Sequence, residues 1–575
     1  MHFQNPVSYR EAEKRVRRML VECILFENLL PNEEAEADNI FFIYGKERVY
    51  KCVGKRSVFD RIRIKEDQIF KIVENESLIE TTIEELIDEL VHNNEDKNGL
   101  LMELQQTIKL SSWNQDNLYQ PKSRRKSTYE DLESEVMEGH TYHPCYKSRT
   151  GFSYEDHAMY GPEAKQSFPL KWIAIKRNYA QLSILKEEQS FWKSELGLSF
   201  WEKLLATLHR NGGTFEDYTF LPIHPWQWKS IGEELNRYIE KRIIIPICDG
   251  VDAYRATQSV RTLINTTSLS KANVKLSMNM VNTSSLRTIQ SQSISAAPFI
   301  STWIQQIIRS DSYLHEEVSM VILEEYAGMY FAPKDHNINL DGQLGVIWRQ
   351  SVRTYMKNQE EAVPFTALLN VERDGRTFID DWLTKYGATS WLNQFFDVCI
   401  LPVWHLLVAH GIAVEAHAQN MILIHRNGWP IRVVLRDFHE SVEYQKGYVK
   451  ETEKVPHFET LHENFVGAPE DKYYWMSSVE GLRELIMDTL FVFHLSELSF
   501  LMEEQYGYRE EKFWHLLNEK MEQHVERFPS ITTRLLKLQH TSSSIYVESL
   551  LKKKLAHDDE ASFRHSVQNV FTTTK

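Results

Sequence analysis

Two short apolar runs, MILI and IRVVL (421–424 and 431–435), meet across HRNGWP, where Asn427-Gly428 supplies the residue pair a tight hairpin turn needs. No other feature of this chain fixes so much at once. A hairpin brings its outer ends together, so EAHAQN (415–420) must lie beside RDFHES (436–441). If EAHAQN is extended, alternation puts Glu415, His417 and Gln419 on one face. Asn420 and Asp437 then become neighbours offering hard oxygen atoms, which suits Mg²⁺ carried on nucleotide phosphates. Protein kinases use the same logic, with an Asn and an Asp sharing the metal. The plainer reading is a polar strand end whose side chains bond one another. So many ligand-type residues together favour a binding site.

Length and charge narrow the classes. At 575 residues the chain exceeds one core and calls for several domains. The net charge of −15 argues against nucleic acid and anionic membrane as partners. An anionic small molecule would therefore need a local basic pocket. Five scattered cysteines (Cys23, Cys52, Cys145, Cys248, Cys399) fit a reducing cytoplasm better than a disulfide framework or a zinc knuckle. No signal-type stretch opens the sequence, and no run approaches the ~20 apolar residues that span a bilayer. The expectation is a cytoplasmic protein.

Patterning divides the chain at 1–125, 126–395 and 396–575. The first part mixes an amphipathic helix (9–30), two strands around Gly45-Lys46 and a further helical stretch from Glu76. QPKSRRKSTYED (120–131) reads as a solvated linker. The middle part is rich in turn residues between short strands, with KLSMNMV alternating as one strand of an antiparallel sheet. The last part is largely helical, and SVEGLRELIMDTLFVFHLSELSFLMEEQYG reads as a long buried helix stopped at Gly507.

Three more stretches bear on chemistry. RATQSVRT…KANVKLSMNMVNTSSLRT gathers Ser259, Arg261, Thr262, Lys275, Thr283, Ser284, Ser285 and Arg287, the charge-assisted donors that phosphate and carboxylate oxygens require. A Ser/Thr-rich hairpin with solvated charges is the equal alternative. GHTYHPCYKSRTGF places His140, His143, Lys147 and Arg149 in one loop; without a third ligand at zinc spacing, it reads as a basic loop over phosphate. LPIHPWQW, stiffened by two prolines, reads as extended scaffold. The chain has no P-loop, no GxGxxG after a strand and no GxSxG elbow, so the corresponding nucleotide-binding and hydrolase folds are unsupported.

Taken in order, GHTYHPCYKSRTGF, LPIHPWQW, SVRT…KLSMNMVNTSSLRT, LGVIWRQ and EAHAQN…RDFHES resemble the NRPS-independent siderophore synthetases of the aerobactin-synthetase type, over roughly residues 130 to 560. The C-terminal helical part also looks like the ferric-reductase-like domain that accompanies that family. The resemblance implies an α+β, multi-domain cupped hand of thumb, fingers and palm, with a mixed or antiparallel central sheet, a largely helical C-terminal part and pairing as a homodimer. It implies an ATP- and Mg²⁺-dependent ligase that adenylates a carboxylate, citrate being favoured, and joins it to an amine, polyamine or hydroxylamine. By the same resemblance, Ser259, Arg261, Thr262 and Lys275 face nucleotide phosphates. Arg287 and His417 hold substrate carboxylates with Gln419 beside them, and Gln419 and Arg436 count among the cofactor-binding residues. Glu415, Asn420 and Asp437 form the metal edge, and His143 and Lys147 a loop over the phosphates. Two alternatives stay open: a ferric-siderophore binding or reductase protein, which would carry a cysteine cluster this C-terminus lacks, and a kinase-like phosphotransferase.

Overall fold

The computed structural model describes residues 5–35, 39–91, 94–137, 139–334, 340–556 and 563–572. Asn5 caps the first helix, Pro6–Phe26, by accepting the Val7 N–H at 3.1 Å. The apolar face of this helix covers a five-stranded antiparallel meander running from Asn32 to Glu80. Ile40–Tyr44 and Val49–Arg56 alternate as half-buried strands should, sending Phe41, Ile43, Tyr50 and Cys52 inward. A capping box between Thr82 and Glu85 then opens the helix Ile83–Leu90.

An eight-stranded, wholly antiparallel sheet forms the middle of the chain. Asn273–Leu276 lies near its centre, between Thr262–Asn265 and Gly345–Arg349. Val274 and Leu276 face a core that includes Trp192, Trp201 and Trp348. Alternation therefore turns Asn273 and Lys275 to the other side. The expected KLSMNMV strand ends early, at Leu276, because Met278 and Met280 leave the ladder to pack with Phe152 and Trp226.

The hairpin forms as the sequence requires. Met421–Arg426 and Trp429–Leu435 pair with Met421 opposite Leu435, and Asn427 and Gly428 take positive φ of 51° and 86°. The hairpin belongs to a mixed four-stranded sheet whose outer strand, Val321–Ile322, runs parallel to it. Two helical stretches flank it, Ala388–His410 and Val479–Tyr506, the second ended by Gly507 at φ 64°. By length and composition both could cross a membrane, contrary to the expectation from apolar run length. In the most apolar 18 residues of each, 83% and 78% are buried inside the protein, so this apolar surface is core.

That core is shared with the N-terminal part. Phe26 meets Phe493, Phe59 meets Trp514, and Arg61 and Arg63 both reach Glu497 at 2.8 Å. Two sequence expectations change here. Arg124 and Arg125 in the presumed solvated linker are anchored, Arg124 to Glu372 in the interior and Arg125 to Asp374. In LPIHPWQW the strand stops at Ile223, and Pro225 opens a short helix capped by His224.

Candidate functional site

A cavity of about 870 Å³ lies where the middle sheet meets the hairpin's open end, the helix Val479–Tyr506 and the C-terminal segment. The sheet supplies cations. Lys275 projects from the central strand, Arg261 from the turn before Thr262–Asn265, and Arg287 from the end of the small ribbon Val281–Asn282/Ser285–Leu286. The turn carrying Ser259 and Arg261 bends at Val260, whose φ of 66° is one a β-branched residue holds only when its surroundings impose it. Val260 is fully buried, and its N–H donates to the Thr257 carbonyl at 2.8 Å. Ser259 Oγ accepts the Thr262 N–H at 3.1 Å, which fixes the hydroxyl at the cavity edge.

Asp437 stands opposite. Its Oδ1 accepts from Lys275 Nζ at 3.1 Å and from Arg349 Nη1 at 2.7 Å. Burial alone would raise this carboxyl, but Arg349, Lys275, Arg436 and His439 outweigh it and hold it well below the usual range. Burial also pulls the Lys275 ammonium down from its ordinary value, with Asp437 opposing. Arg287 is drawn to about 9, first by removal from bulk water and next by Arg261 beside it. Removal from water and the like charge of Arg261 thus weaken the hold of Lys275 and Arg287 on their protons, a strain that an anion bound beside them relieves.

The segment 415–420 is not an extended strand. It turns, with the Asn420 N–H on the His417 carbonyl at 2.9 Å, yet Glu415, His417, Gln419 and Asn420 all reach the cavity. Asn420 donates Nδ2 to the Glu415 carbonyl at 3.0 Å, so its Oδ1 is the atom left for a cation. His417 Nδ1 accepts the Gln419 N–H at 3.2 Å, which places the proton of the neutral ring on Nε2. His417 Nε2 lies 3.8 Å from Glu415 Oε1.

Other expected site residues lie elsewhere. Arg436 is buried and turned away, forked onto Glu133 at 2.7 and 3.1 Å and bonded to Tyr129 Oη at 3.0 Å. The strand ends at Leu435 and Asp437 takes a left-handed backbone at φ 63°, so the two side chains part here, Asp437 toward the cavity and Arg436 toward Glu133. Arg436 thus ties the hairpin to the helix Tyr129–Glu135. Removing Glu133's charge leaves this guanidinium uncompensated, so Glu133→Gln is expected to cost about 3–5 kcal/mol. A lowered midpoint in chemical denaturation reads that cost, and an unchanged midpoint rejects the strut role.

Lys147 and Arg149 both end on buried Glu163, Lys147 at 2.5 Å, and His143 is enclosed with its Nδ1 accepting the Cys145 N–H. Of that loop's basic residues, His140 is the one at the cavity. Thr262 is buried behind Ser259, its hydroxyl without a partner. Conversely, sequence reasoning left unassigned Arg349, Glu325, His439 and Glu440. Glu325, from the middle sheet, accepts the N–H groups of Phe438 and His439 at 3.1 and 3.0 Å and His439 Nδ1 at 2.8 Å. Glu325, Asp437 and His439 bring potential ligand atoms within 4.8 Å of one another. A charged residue in an apolar strand, as in VIWRQ, was the available signal for Arg349.

Comparison with known proteins agrees with this architecture. Residues 128–370 match the IucA / IucC family, and residues 389–563 match the ferric iron reductase FhuF-like transporter family. A citryl-spermidine/3,4-dihydroxybenzoyl-citryl-spermidine:spermidine ligase of Bacillus anthracis is 36% identical over 98% of this chain and 93% of its own length. The crystal structure of the petrobactin biosynthesis protein AsbB from B. anthracis str. Sterne superposes with a TM-score of 0.92 at 34% identity, covering 99% of this chain and 96% of that one. The ATP-bound aerobactin synthetase IucA of Klebsiella pneumoniae shares the fold, with a TM-score of 0.76 at 14% identity over 97% and 99% of the two chains.

Proposed function

This chain belongs to the IucA / IucC family of siderophore synthetases, and from that premise we propose that it uses ATP to adenylate a carboxylate of citrate or a citrate derivative, then passes the acyl group to an amine. The observation that carries this reading is the convergence of Arg261, Lys275 and Arg287 on a cavity that also holds Asn420 and Asp437. A relative that joins citryl-spermidine to spermidine and an ATP-bound structure of the same fold support it.

In the first step a carboxylate oxygen attacks the α-phosphorus, and the bond to pyrophosphate breaks. Several anions meet there, and pre-placed cations at that point lower the barrier. Arg287 offers a fork to a carboxylate, and His417 donates from Nε2. Lys275 and Arg261 face the phosphates, with Ser259 at their edge. In the second step the amine nitrogen attacks the acyl carbon, AMP departs, and the amine's proton is released. No covalent protein intermediate is required, because the acyl-adenylate is already activated.

The residues present also fit Mg²⁺. Asp437 Oδ2 and Asn420 Oδ1 are the hard oxygens left once Asp437 Oδ1 and Asn420 Nδ2 are engaged, and Glu440 lies beside them. Mg²⁺ bound there would neutralise phosphate charge. Incubation with ATP, Mg²⁺, citrate and hydroxylamine is expected to release pyrophosphate only when citrate is present, with AMP as the nucleotide product. Chromatography of the nucleotides reads this directly. ADP as the sole product would replace adenylation with γ-phosphoryl transfer.

A further inference from the structure

The cavity's acids fall in two groups. At its sheet side Asp437 and Glu440 stand among Arg261, Lys275 and Arg287, whereas its far end carries Asp488 and Glu548, with Glu415 near enough to act on both Arg287 and Asp488. Asp488 comes from a π-helical stretch, Met487–Leu495, in the helix Val479–Tyr506; such widened turns recur at functional positions. One of its oxygens, Oδ2, receives only a long bond from the Glu548 N–H at 3.4 Å. The other, Oδ1, is shut from solvent and has no hydrogen-bond partner. Among the described residues no lysine or arginine pairs with Asp488. The cations near it are engaged: Lys553 with Glu548 at 2.5 Å, Lys554 with Glu103 at 2.8 Å, and Arg564 with Glu484. Burial, reinforced by Glu548 and Glu415, pushes the Asp488 carboxyl well above the usual range. A desolvated acid facing other acids stays ionised only when a cation comes to it.

The chemistry of this end says which cation. Asp488 is not part of either three-ligand cluster able to hold a metal ion among the described residues. Phe493, Leu550 and Leu555 line the same end and give it apolar surface. Carboxylates beside apolar side chains match a chain of methylenes that carries ammonium groups. We propose that Asp488, supported by Glu548 and Glu415, binds the distal ammonium of a polyamine substrate, whose methylenes lie against Phe493, Leu550 and Leu555 while its other amine reaches the activated acyl group. This rests on the ligase reading above and adds what selects the acceptor: a second positive charge, absent from a simple alkylamine.

The test compares wild type with Asp488→Asn, using spermidine, hexylamine and hydroxylamine as acceptors. Hydroxylamine is small and uncharged at neutral pH, so hydroxamate formation is expected to be unchanged in the variant. Loss of a charge-assisted contact is expected to lower kcat/KM for spermidine by about tenfold to a hundredfold. Hexylamine is expected to be used poorly and equally by both proteins. An unchanged spermidine-to-hexylamine ratio overturns the proposal, as does an equal loss with hydroxylamine. Calorimetric titration of spermidine into the resting protein reads the same site without turnover, so failure of the ligase reading cannot mask it. Weaker binding in the variant is the expected result there, and equal binding overturns the proposal. Should Asp488→Asn not yield folded protein, Glu548→Gln at the more exposed rim is expected to weaken spermidine binding by roughly two- to fivefold. No change in that variant counts equally against the proposal.

Discussion

Asp437→Asn is expected to lower stability and activity together. Asparagine tolerates the left-handed backbone that Asp437 adopts at φ 63°, so the change adds no strain of its own. What it removes is the anion between Lys275 and Arg349, leaving two buried cations facing each other at a cost of about 3–5 kcal/mol. It also removes an ionised oxygen from the proposed Mg²⁺ edge. Losing one pre-placed electrostatic group in a site of this kind reduces kcat by roughly a hundredfold to a thousandfold. The half-saturating Mg²⁺ concentration is expected to rise as well. The sign of the pH dependence follows from the depressed carboxyl. Its contribution is complete above the unfolded carboxylate value and is lost as pH falls toward the lower folded one. Wild type and variant should therefore differ fully at neutral pH and converge only in acid. An unchanged melting temperature with an unchanged Mg²⁺ titration would return Asp437 to a plain polar strand end.

The contrast between Asp437 and its neighbour marks how far the sequence reaches. The hairpin was legible because its turn chemistry is local: Asn427-Gly428 supplies the backbone, and period-two runs on both sides supply the strands. Meeting of 415–420 with 436–441 follows from that geometry alone. The direction each side chain takes does not, because it depends on which elements pack from outside the hairpin. Glu133 lies some three hundred residues earlier in the chain, and it decides that Arg436 turns inward. Glu163 does the same for Lys147 and Arg149, converting an apparent phosphate loop into a buried ion cluster. Lys275 was easier, since a lone lysine between Val274 and Leu276 on a central strand must leave the core face. Asp488 was masked by its surroundings. MDTLFVFHL reads as core helix, and a 3.6-residue period cannot reveal the π-helical turn that carries the acid. A single carboxylate in so apolar a run was the signal.

Arg287 gives the second large effect, with opposite signs for function and stability. Its guanidinium donates to the Asn282 carbonyl at 2.6 Å while Nε is buried without a partner, and Arg261 stands nearby with the same charge. Replacing it with methionine removes the repulsion and the unmet donor together. The ligand-free Arg287→Met protein is therefore expected to melt at a higher temperature than wild type, because desolvation and the nearby Arg261 together outweigh the attraction of Glu440, Glu415 and Asp437 for this charge. Catalysis should move the other way. A forked, charge-assisted contact to a carboxylate is worth roughly 1.5–3 kcal/mol, so kcat/KM for citrate should fall by about tenfold to over a hundredfold. Arg287→Lys keeps the charge but cannot present two parallel N–H groups, so it should recover little of that loss. Ligand then reverses the order of stability. Citrate and nucleotide bind the folded wild type and stabilise it by mass action, whereas the methionine variant gains much less. Thermal melts of both proteins, with and without substrates, should therefore cross. Parallel shifts on adding substrates, or wild-type citrate kinetics in Arg287→Lys, would place the carboxylate clamp somewhere other than Arg287.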